Sequence, residues 1–217
     1  MKTGDEGRAL GQLSDLPDRM LVSPLFGALH FMEPRIHWTA TRVMGEVTSR
    51  LARENREDAR VVLRRMMWNL NDESGGIGWG VPEAMGEILA RHAGLAEEFT
   101  NILASYSRED GNYLEHVPLQ VGLLWGLVRL ASVRPDLLRN AGPDVLSFLE
   151  SDVPVIRGLS AHLAGLLGME AARGRLEGLL SDSAEIEDDL GGILPTTRIR
   201  DLARESLDLL NERRRFP

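Results

Sequence analysis

A repeat of about 40 residues constrains this chain more than any other feature of its sequence. The segments around Gly45, Gly86, Gly126, Gly165 and Ser206 resemble one another, and each carries a small residue at the same place. The steps between these small residues are 41, 40, 39 and 41 residues. A near-constant period of this length is typical of stacked helix pairs. The small residues predict that neighbouring helices approach closely at these positions, because neither helix brings a bulky side chain there.

Helix-start signals precede each small residue: Pro34, Pro82 or the Gly75-Gly76 pair, Pro118, Pro154 and Pro195. Proline is tolerated in the first turn of a helix and breaks its interior. A shorter amphipathic stretch lies upstream of each signal, at residues 20–31, 59–70, 95–106, 145–150 and 171–180. Each unit therefore reads as a short helix, a turn and a longer helix. We expect about ten helices and essentially no sheet.

The segment Glu33-Pro-Arg-Ile-His-Trp-Thr-Ala-Thr-Arg-Val-Met-Gly-Glu-Val47 resembles a HEAT repeat of the phycocyanobilin-lyase-like type. A unit of that family runs Asp-Pro-x-Val-Arg, then alanines, then Ala-Leu-Gly, and residues 152–157 and 197–203 share this pattern. The units here lack the family's uniform arginine. The resemblance covers residues 17–213 and implies an all-α fold, a right-handed α-α superhelix (HEAT/armadillo-like solenoid) of about five helix pairs. It carries over no catalytic residue, since such repeats host many functions.

The polar, glycine-rich start of the chain predicts a flexible N-terminal tail, residues 1–16, and residues 17–217 are predicted to form a single solenoid domain. Within the domain, the acidic stretch 181–189 followed by Gly191-Gly192 is predicted to be a flexible loop. The carboxylates of Glu46, Glu83 and Glu87 recur on the longer helices, and we expect them on a solvated face.

Composition excludes several classes of function. The chain has no cysteine, which removes disulfide frameworks, thiol nucleophiles and cysteine-based metal sites. Its formal net charge of -8 argues against non-specific binding of nucleic acid, which needs a basic face. No apolar run is long enough for a membrane span, and the N-terminus has no apolar core of a signal peptide. We expect a cytoplasmic protein with no membrane partner.

The turn from Trp68 to Gly80 has the most unusual local composition in the chain. Its Asn, Asp and Ser residues are typical helix caps, whereas two flanking tryptophans fit either packing or a partner-binding edge. The glycines at 75–80 fit a helix start packed closely against a neighbouring unit. Alternatively, their backbone amides hold an anionic group. A dinucleotide site is not favoured, because no strand precedes these glycines.

A second polar turn lies one repeat further on. Its residues Tyr113, Glu115 and His116 are predicted to form one polar patch with Asp72 and Glu73 on the same rim. Some HEAT-type enzymes bind two iron ions through paired His-Glu dipeptides, and this sequence has no such dipeptide. His30 and His37 flank the Glu33-Pro34 turn and could approach each other, but we predict no metal site and no cofactor.

The favoured hypothesis is a non-catalytic interaction protein that binds a protein or peptide partner with basic patches, using tryptophan anchors and the polar rim. The alternatives are a cofactor- or chromophore-handling enzyme, a metal-dependent enzyme and, least favoured, a HEAT-like DNA glycosylase. The predicted partner-binding residues are Trp68, Asn69, Asn71, Asp72, Glu73, Trp79, Glu83, Tyr113, Glu115, His116 and Trp125.

Overall fold

The computed structural model describes residues 4–13, 16–31, 33–71, 78–141, 145–187 and 190–215. These residues are mostly helical, which confirms the predicted all-α class. The α-helices are α1 Gly4–Leu13, α2 Asp18–Leu29, α3 Pro34–Glu54, α4 Arg56–Leu70, α5 Val81–Arg91, α6 Ala93–Ser105, α7 Val117–Ala131, α8 Pro154–Leu167, α9 Arg173–Leu179 and α10 Ile199–Arg215. Three 3₁₀ helices are η1 Pro135–Ala141, η2 Leu146–Glu150 and η3 Glu170–Ala172.

The longer helices pack side by side in chain order. Helix α3 packs against α5, α5 against α7, α7 against α8, and α8 against α10. The shorter elements flank this row: α4 packs on α3 and α5, α6 on α5, η2 on α8, and α9 on α10. The chain therefore alternates between the row and its flank, as the predicted pattern of short helix, turn and longer helix requires.

The small residues lie at close contacts between these helices. A Cβ added at Gly86 of α5 would lie 2.3 Å from the Cα of Gly126 in α7. A Cβ added at Gly165 of α8 would lie 2.6 Å from the Oγ of Ser206 in α10. Both distances are shorter than carbon contacts allow, so the backbones approach closely because side chains are missing. The predicted reason for the small-residue column is confirmed at these two contacts.

The expectations for the N-terminal segment and for the absence of a sheet need correction. Residues 4–13 form helix α1, which packs on α3, where a loose tail was expected. Its Ala9 and Leu13, four residues apart, share one face and pack against the core. A two-stranded antiparallel sheet joins β1 (Glu185–Ile186) to β2 (Thr197–Arg198), where essentially no sheet was expected. Helix α7 begins at Val117, and the helix-start signal Pro118 lies in its first turn.

The segment between α9 and α10 packs onto the row of longer helices, where a flexible loop was expected. Ile186 fills the space above Gly158 of α8, at which an added Cβ would lie 2.1 Å from its Cδ1. Leu190 and Leu194 are buried, and Arg42 of α3 donates a hydrogen bond to the carbonyl of Gly191. Residues 188–189 lie outside the described part. Among the helices that the structure describes, none combines the length and apolar character needed to cross a membrane.

Candidate functional site: an aromatic cavity at the starts of three helices

A cavity of about 360 Å³ opens where α3, α5 and α7 begin. Its wall is mainly apolar and includes three aromatic side chains, and its only titratable side chains among the described residues are one histidine and one glutamate. Apolar pockets with a few convergent polar groups are typical ligand sites. The lining residues are Leu29, Phe31, Pro34, His37, Trp38, Trp79, Gly80, Glu83, Val117, Pro118, Val121 and Leu190.

A larger cavity of about 590 Å³ lies between α1, α2 and α3. The charged side chains in its lining, Arg8, Glu33 and Arg35, are all exposed to solvent. Because it encloses no buried polar group, it offers a ligand apolar contact and little specificity. The smaller cavity is therefore the better candidate.

Each of the three helices has a proline in its first turn, Pro34, Pro82 and Pro118. Pro34 and Pro118 line the cavity. Proline fits a first turn because its missing N–H would have no partner within the helix. The carboxylate of Glu33 caps α3 by accepting hydrogen bonds from the N–H groups of Arg35 and Ile36. The cavity thus lies at the positive ends of three helix dipoles, one of which is already capped by a carboxylate.

Gly80 lets α5 begin close to α2 and α3. Its φ of 72° is left-handed, and a Cβ there would lie 2.8 Å from the carbonyl oxygen of Leu29 and 2.9 Å from Cε1 of His37. Only glycine accommodates both constraints. This confirms that a close approach explains Gly80. The alternative of an anion held by backbone amides stays a prediction, and residues 75–77 lie outside the described part.

His37 and Glu83 form a pair across the cavity wall, with His37 Nε2 lying 3.6 Å from Glu83 Oε1. The other ring nitrogen, Nδ1, lies 3.1 Å from the carbonyl oxygen of Leu29. Because a carbonyl only accepts hydrogen bonds, Nδ1 carries a proton, which leaves Nε2 to face the carboxylate. A second proton on the ring lies on Nε2, facing Oε1 at 3.6 Å, and makes the pair electrically neutral when Glu83 is charged.

The environment favours the imidazolium form of His37. Burial lowers the pKa of His37, but the pairing with Glu83, its negative charge and the Leu29 carbonyl outweigh burial and hold the pKa above 6.5. The cavity wall therefore favours a compensated ion pair over an isolated buried charge.

Glu83 is only 8% exposed, and its Oε2 is buried without a hydrogen-bond donor among the described residues. Its carboxylate fits against α7 because position 122 is glycine. A Cβ at Gly122 would lie 2.4 Å from the carboxylate carbon. The expectation that Glu83 lies on a solvated face is wrong, since the close packing of α5 on α7 encloses it.

The same correction holds one helical turn further along α5. Glu87 is buried and receives hydrogen bonds from Nε of Arg91 at 2.5 Å and Nε of Arg129 at 2.6 Å. Arg91 also bonds Glu46 of α3 at 2.9 Å, so the ion pairs join three neighbouring helices of the row. Burial raises the pKa of Glu87, but the two arginines outweigh it and lower the pKa below 4.5. These carboxylates are matched by cations, unlike Oε2 of Glu83.

Two stacked tryptophans lie behind the cavity. The ring of Trp38 lines it, and the ring of Trp125 stacks on Trp38 with centroids 4.9 Å apart. Trp125 is 1% exposed and donates its indole N–H to the carbonyl of Leu190 at 2.8 Å. Trp125 was expected to anchor a partner directly, but it is enclosed by the loop at Leu190 and instead supports the cavity wall.

The predicted site residues divide between the cavity and its surroundings. Trp79 and Glu83 line the cavity. Trp68 and Asn69 lie in the last turn of α4, and Trp68 is 75% exposed. Asn71 ends α4 by donating its backbone N–H to the carbonyls of Met67 and Trp68. Asp72 and Glu73 lie outside the described residues, so their expected patch with the third turn stays a prediction.

The third turn lies beside the cavity. Glu115 and His116 are exposed and directly precede Val117, whose side chain lines the cavity and is 42% exposed. Tyr113 stacks on Phe148 with ring centroids 6.3 Å apart, and its hydroxyl accepts a hydrogen bond from Gln120. These residues therefore surround the start of α7 rather than forming the cavity wall.

Sequence reasoning did not assign Phe31, His37 or Trp38 to the site. Their positions around the Glu33-Pro34 turn were the available signal, but only His37 was considered there, as a metal ligand. His30 and His37 bond separate carbonyls of α2, at Phe26 and Leu29, rather than converging. Across the residues that the structure describes, there is no cluster of three side chains suited to hold a metal ion.

No family model and no curated protein matches the chain. Among solved structures it is similar to an engineered protein from the Northeast Structural Genomics Consortium, with a TM-score of 0.54 and 13% identity. That match covers 87% of this chain and 78% of the engineered one. At this identity the similarity concerns the fold alone, and it says nothing about a ligand.

Proposed function

We propose that the chain is a binding protein with an α-solenoid fold of the HEAT type, and that it holds a protein or peptide partner at the aromatic cavity. The repeat spacing and the row of longer helices support the solenoid. A continuous row of this kind presents helix ends and inter-helix turns along one edge, where solenoids often bind their partners.

The observation that carries the proposal is the exposed apolar rim of the cavity. Phe31 is 56% exposed and Val117 is 42% exposed, and both line the opening with Trp79. Large apolar side chains that remain exposed around a concave site are typical of interaction surfaces. Aromatic residues such as Trp79 also supply a large share of the binding energy at interfaces.

The segment between α9 and α10 covers part of the row and leaves this end of it open to a partner. Leu190 and Gly191 cover the tryptophan pair and bond Trp125 and Arg42. The part of the row beneath that segment is therefore occupied by the chain itself. The starts of α3, α5 and α7 remain open, and their rim includes the exposed Glu115 and His116.

Selection from a random peptide library tests the proposal. Peptides enriched on the wild-type protein, after depletion on Phe31→Ala, are measured by titration calorimetry. We expect Phe31→Ala and Trp79→Ala to weaken binding by at least about tenfold, because each removes a large contact at the rim.

Met20→Ala is the matched control, since Met20 is exposed but does not line the cavity. It should leave the affinity unchanged. If no peptide is enriched, or if Met20→Ala weakens binding as much as Phe31→Ala does, the proposed site is wrong.

The His37–Glu83 pair favours one alternative, a small-molecule or cofactor-handling protein. A histidine and a carboxylate that face each other in a cavity can exchange a proton with a ligand, and the cavity volume lies in the range of small-molecule sites. Native mass spectrometry and an absorption spectrum of untagged protein test this alternative. A stoichiometric small molecule lost in Glu83→Gln would support it against the peptide-binding proposal.

A further inference from the structure

We infer that the cavity binds the ammonium group of a lysine side chain from the partner, with Glu83 as its counter-charge and the aromatic wall around its stem. This inference rests on the proposed function and specifies which side chain enters the cavity. It follows from the buried carboxylate, the aromatic lining and the arrangement of nearby charges.

The aromatic lining suits a cation with an apolar stem. Phe31, Trp38 and Trp79 present three π-systems to one small cavity, with Pro34 and Pro118 completing the wall. Aromatic faces attract ammonium groups electrostatically, and the attraction strengthens where water is excluded. A lysine side chain supplies both the charged end and a chain of methylene groups.

The carboxylate of Glu83 lacks a donor. It lines the cavity, is more than nine-tenths buried, and has one oxygen without a hydrogen-bond donor among the described residues. A buried acceptor without a donor costs free energy that a ligand bearing an N–H group can recover. Gly122 preserves the space for this carboxylate, because any side chain there would displace it.

The helix dipoles at the cavity do not exclude a cation. The positive end of α3 is capped by the Glu33 carboxylate, and Glu83 itself lies in the first turn of α5. A carboxylate in the first turn of a helix is stabilised in its charged form. Two of the three positive helix ends at the cavity therefore face a carboxylate, which offsets their repulsion of a cation.

The geometry favours ammonium over guanidinium. Glu83 Oε1 faces His37 Nε2, and Oε2 is enclosed beside Gly122 without a donor, so a turn of the carboxylate is needed to offer one oxygen to a ligand. Arginine binds carboxylates best through two parallel hydrogen bonds to both oxygens, whereas an ammonium group is a compact point donor. Lysine is therefore the expected basic residue.

Binding replaces the imidazolium of His37 as the partner charge of Glu83. The titratable group that faces His37 from α5 is Glu83, and the carbonyl of Leu29 faces it from α2. The residues of α7 that line the same cavity, Val117, Pro118 and Val121, carry no charge. An ammonium group beside Glu83 supplies the positive charge that the second proton of His37 otherwise supplies. His37 therefore binds that proton less tightly. Binding should therefore release a proton, and the affinity for lysine should rise as pH rises through the pKa of His37.

The test uses Nα-acetyl-lysine methylamide and its norleucine and arginine analogues as probes of the full chain. The four tryptophan indole N–H signals of ¹⁵N-labelled protein report binding by NMR. We expect the lysine probe to move the signals of Trp38 and Trp79 with a dissociation constant about tenfold lower than that of norleucine. Trp68 is the internal control, because it does not line the cavity.

Two variants separate charge from fold. Glu83→Gln should abolish the preference for lysine over norleucine, and Glu97→Gln, which changes an exposed glutamate of α6, should keep it. If Glu83→Gln fails to fold, Gly122→Ala displaces the carboxylate instead. Gly27→Ala is its control, because a Cβ there meets nothing within 4 Å.

Equal binding of lysine and norleucine would overturn the inference about charge while leaving the peptide-binding proposal intact. Tighter binding of arginine would overturn the argument for a point donor. If library peptides bind but no probe moves the indole signals, the cavity does not take a side chain. If neither peptides nor probes bind, the proposed function itself fails. Calorimetry in two buffers of different ionisation enthalpy should show proton release, and an affinity independent of pH would contradict the role of His37.

Discussion

Replacing Gly86 with alanine tests the close contact on which the row of longer helices depends. The added Cβ would lie 2.3 Å from Cα, 2.5 Å from the carbonyl oxygen and 2.7 Å from the carbonyl carbon of Gly126. All three atoms belong to the backbone of α7, so no side chain can rotate away. Since carbon atoms pack at about 3.5–4.0 Å, α5 and α7 must separate by roughly 1 Å.

The expected cost combines two opposing effects. Overpacking of a well-packed contact lowers the free energy of unfolding by about 1–3 kcal/mol. Alanine in place of glycine within a helix recovers up to about 1 kcal/mol. Because rigid backbone atoms block the new methyl group, we expect the free energy of unfolding of Gly86→Ala to be about 2 kcal/mol lower than that of the wild type.

Urea unfolding followed by far-ultraviolet circular dichroism measures the change. Gly27→Ala is the matched control, because Gly27 is a helical glycine of α2 whose added Cβ meets nothing within 4 Å. It should be as stable as the wild type or more stable by up to about 1 kcal/mol. Equal stability of the two variants would refute the reasoning, because it would mean that the close packing of α5 on α7 does not depend on the absence of side chains at Gly86 and Gly126.

Three further predictions concern the interior and the site. Glu87→Gln should lower the free energy of unfolding by about 3 kcal/mol, measured by urea unfolding at neutral pH, because it removes the shared partner of two arginines. Trp125→Phe should cost about 2 kcal/mol in the same assay through the lost indole hydrogen bond and ring contact, whereas Trp68→Phe should cost nothing measurable. The raised pKa of His37 means that its contribution to stability is full below pH 6.5 and is lost as pH rises through the folded value. Burial lowers the pKa of His162, so its contribution to stability changes with pH in the opposite direction. That contribution is full above pH 6.5 and is lost as pH falls below it. Urea midpoints from about pH 5 to about pH 9, compared with those of His37→Gln and His162→Gln, check both signs.

Local sequence patterns were sufficient to predict the helical class and most helix positions. A longer helix was predicted to start near Pro82 and to include Gly86, and α5 spans Val81–Arg91 with Pro82 in its first turn. The recurring small residues, from Gly45 to Ser206, were also informative. Their spacing reflects a contact between neighbouring units, which recurs wherever the chain repeats. The solenoid itself, and its likeness to HEAT repeats, stay predictions.

Burial of polar side chains could not be read from the same patterns. Glu83 and Glu87, four residues apart on α5, look like an ordinary solvated face in the sequence. They are enclosed because α7 packs closely at Gly122 and Gly126, residues about 40 positions away. The charge of each carboxylate is then matched by groups from other helices, which a local pattern does not specify.

The sequence by itself determined where helices begin, where they pack closely and which classes of chemistry are absent. Only the tertiary structure decided which of those residues meet. Phe31 and His37 belong to one unit of the repeat, and Trp79 and Glu83 belong to the next. They share one cavity because three helices begin at the same end of the row. Trp125 became a support rather than an anchor because a distant segment covers it through Leu190. The physical reason is that periodicity is encoded locally, whereas burial and proximity arise from contacts between residues far apart in the chain.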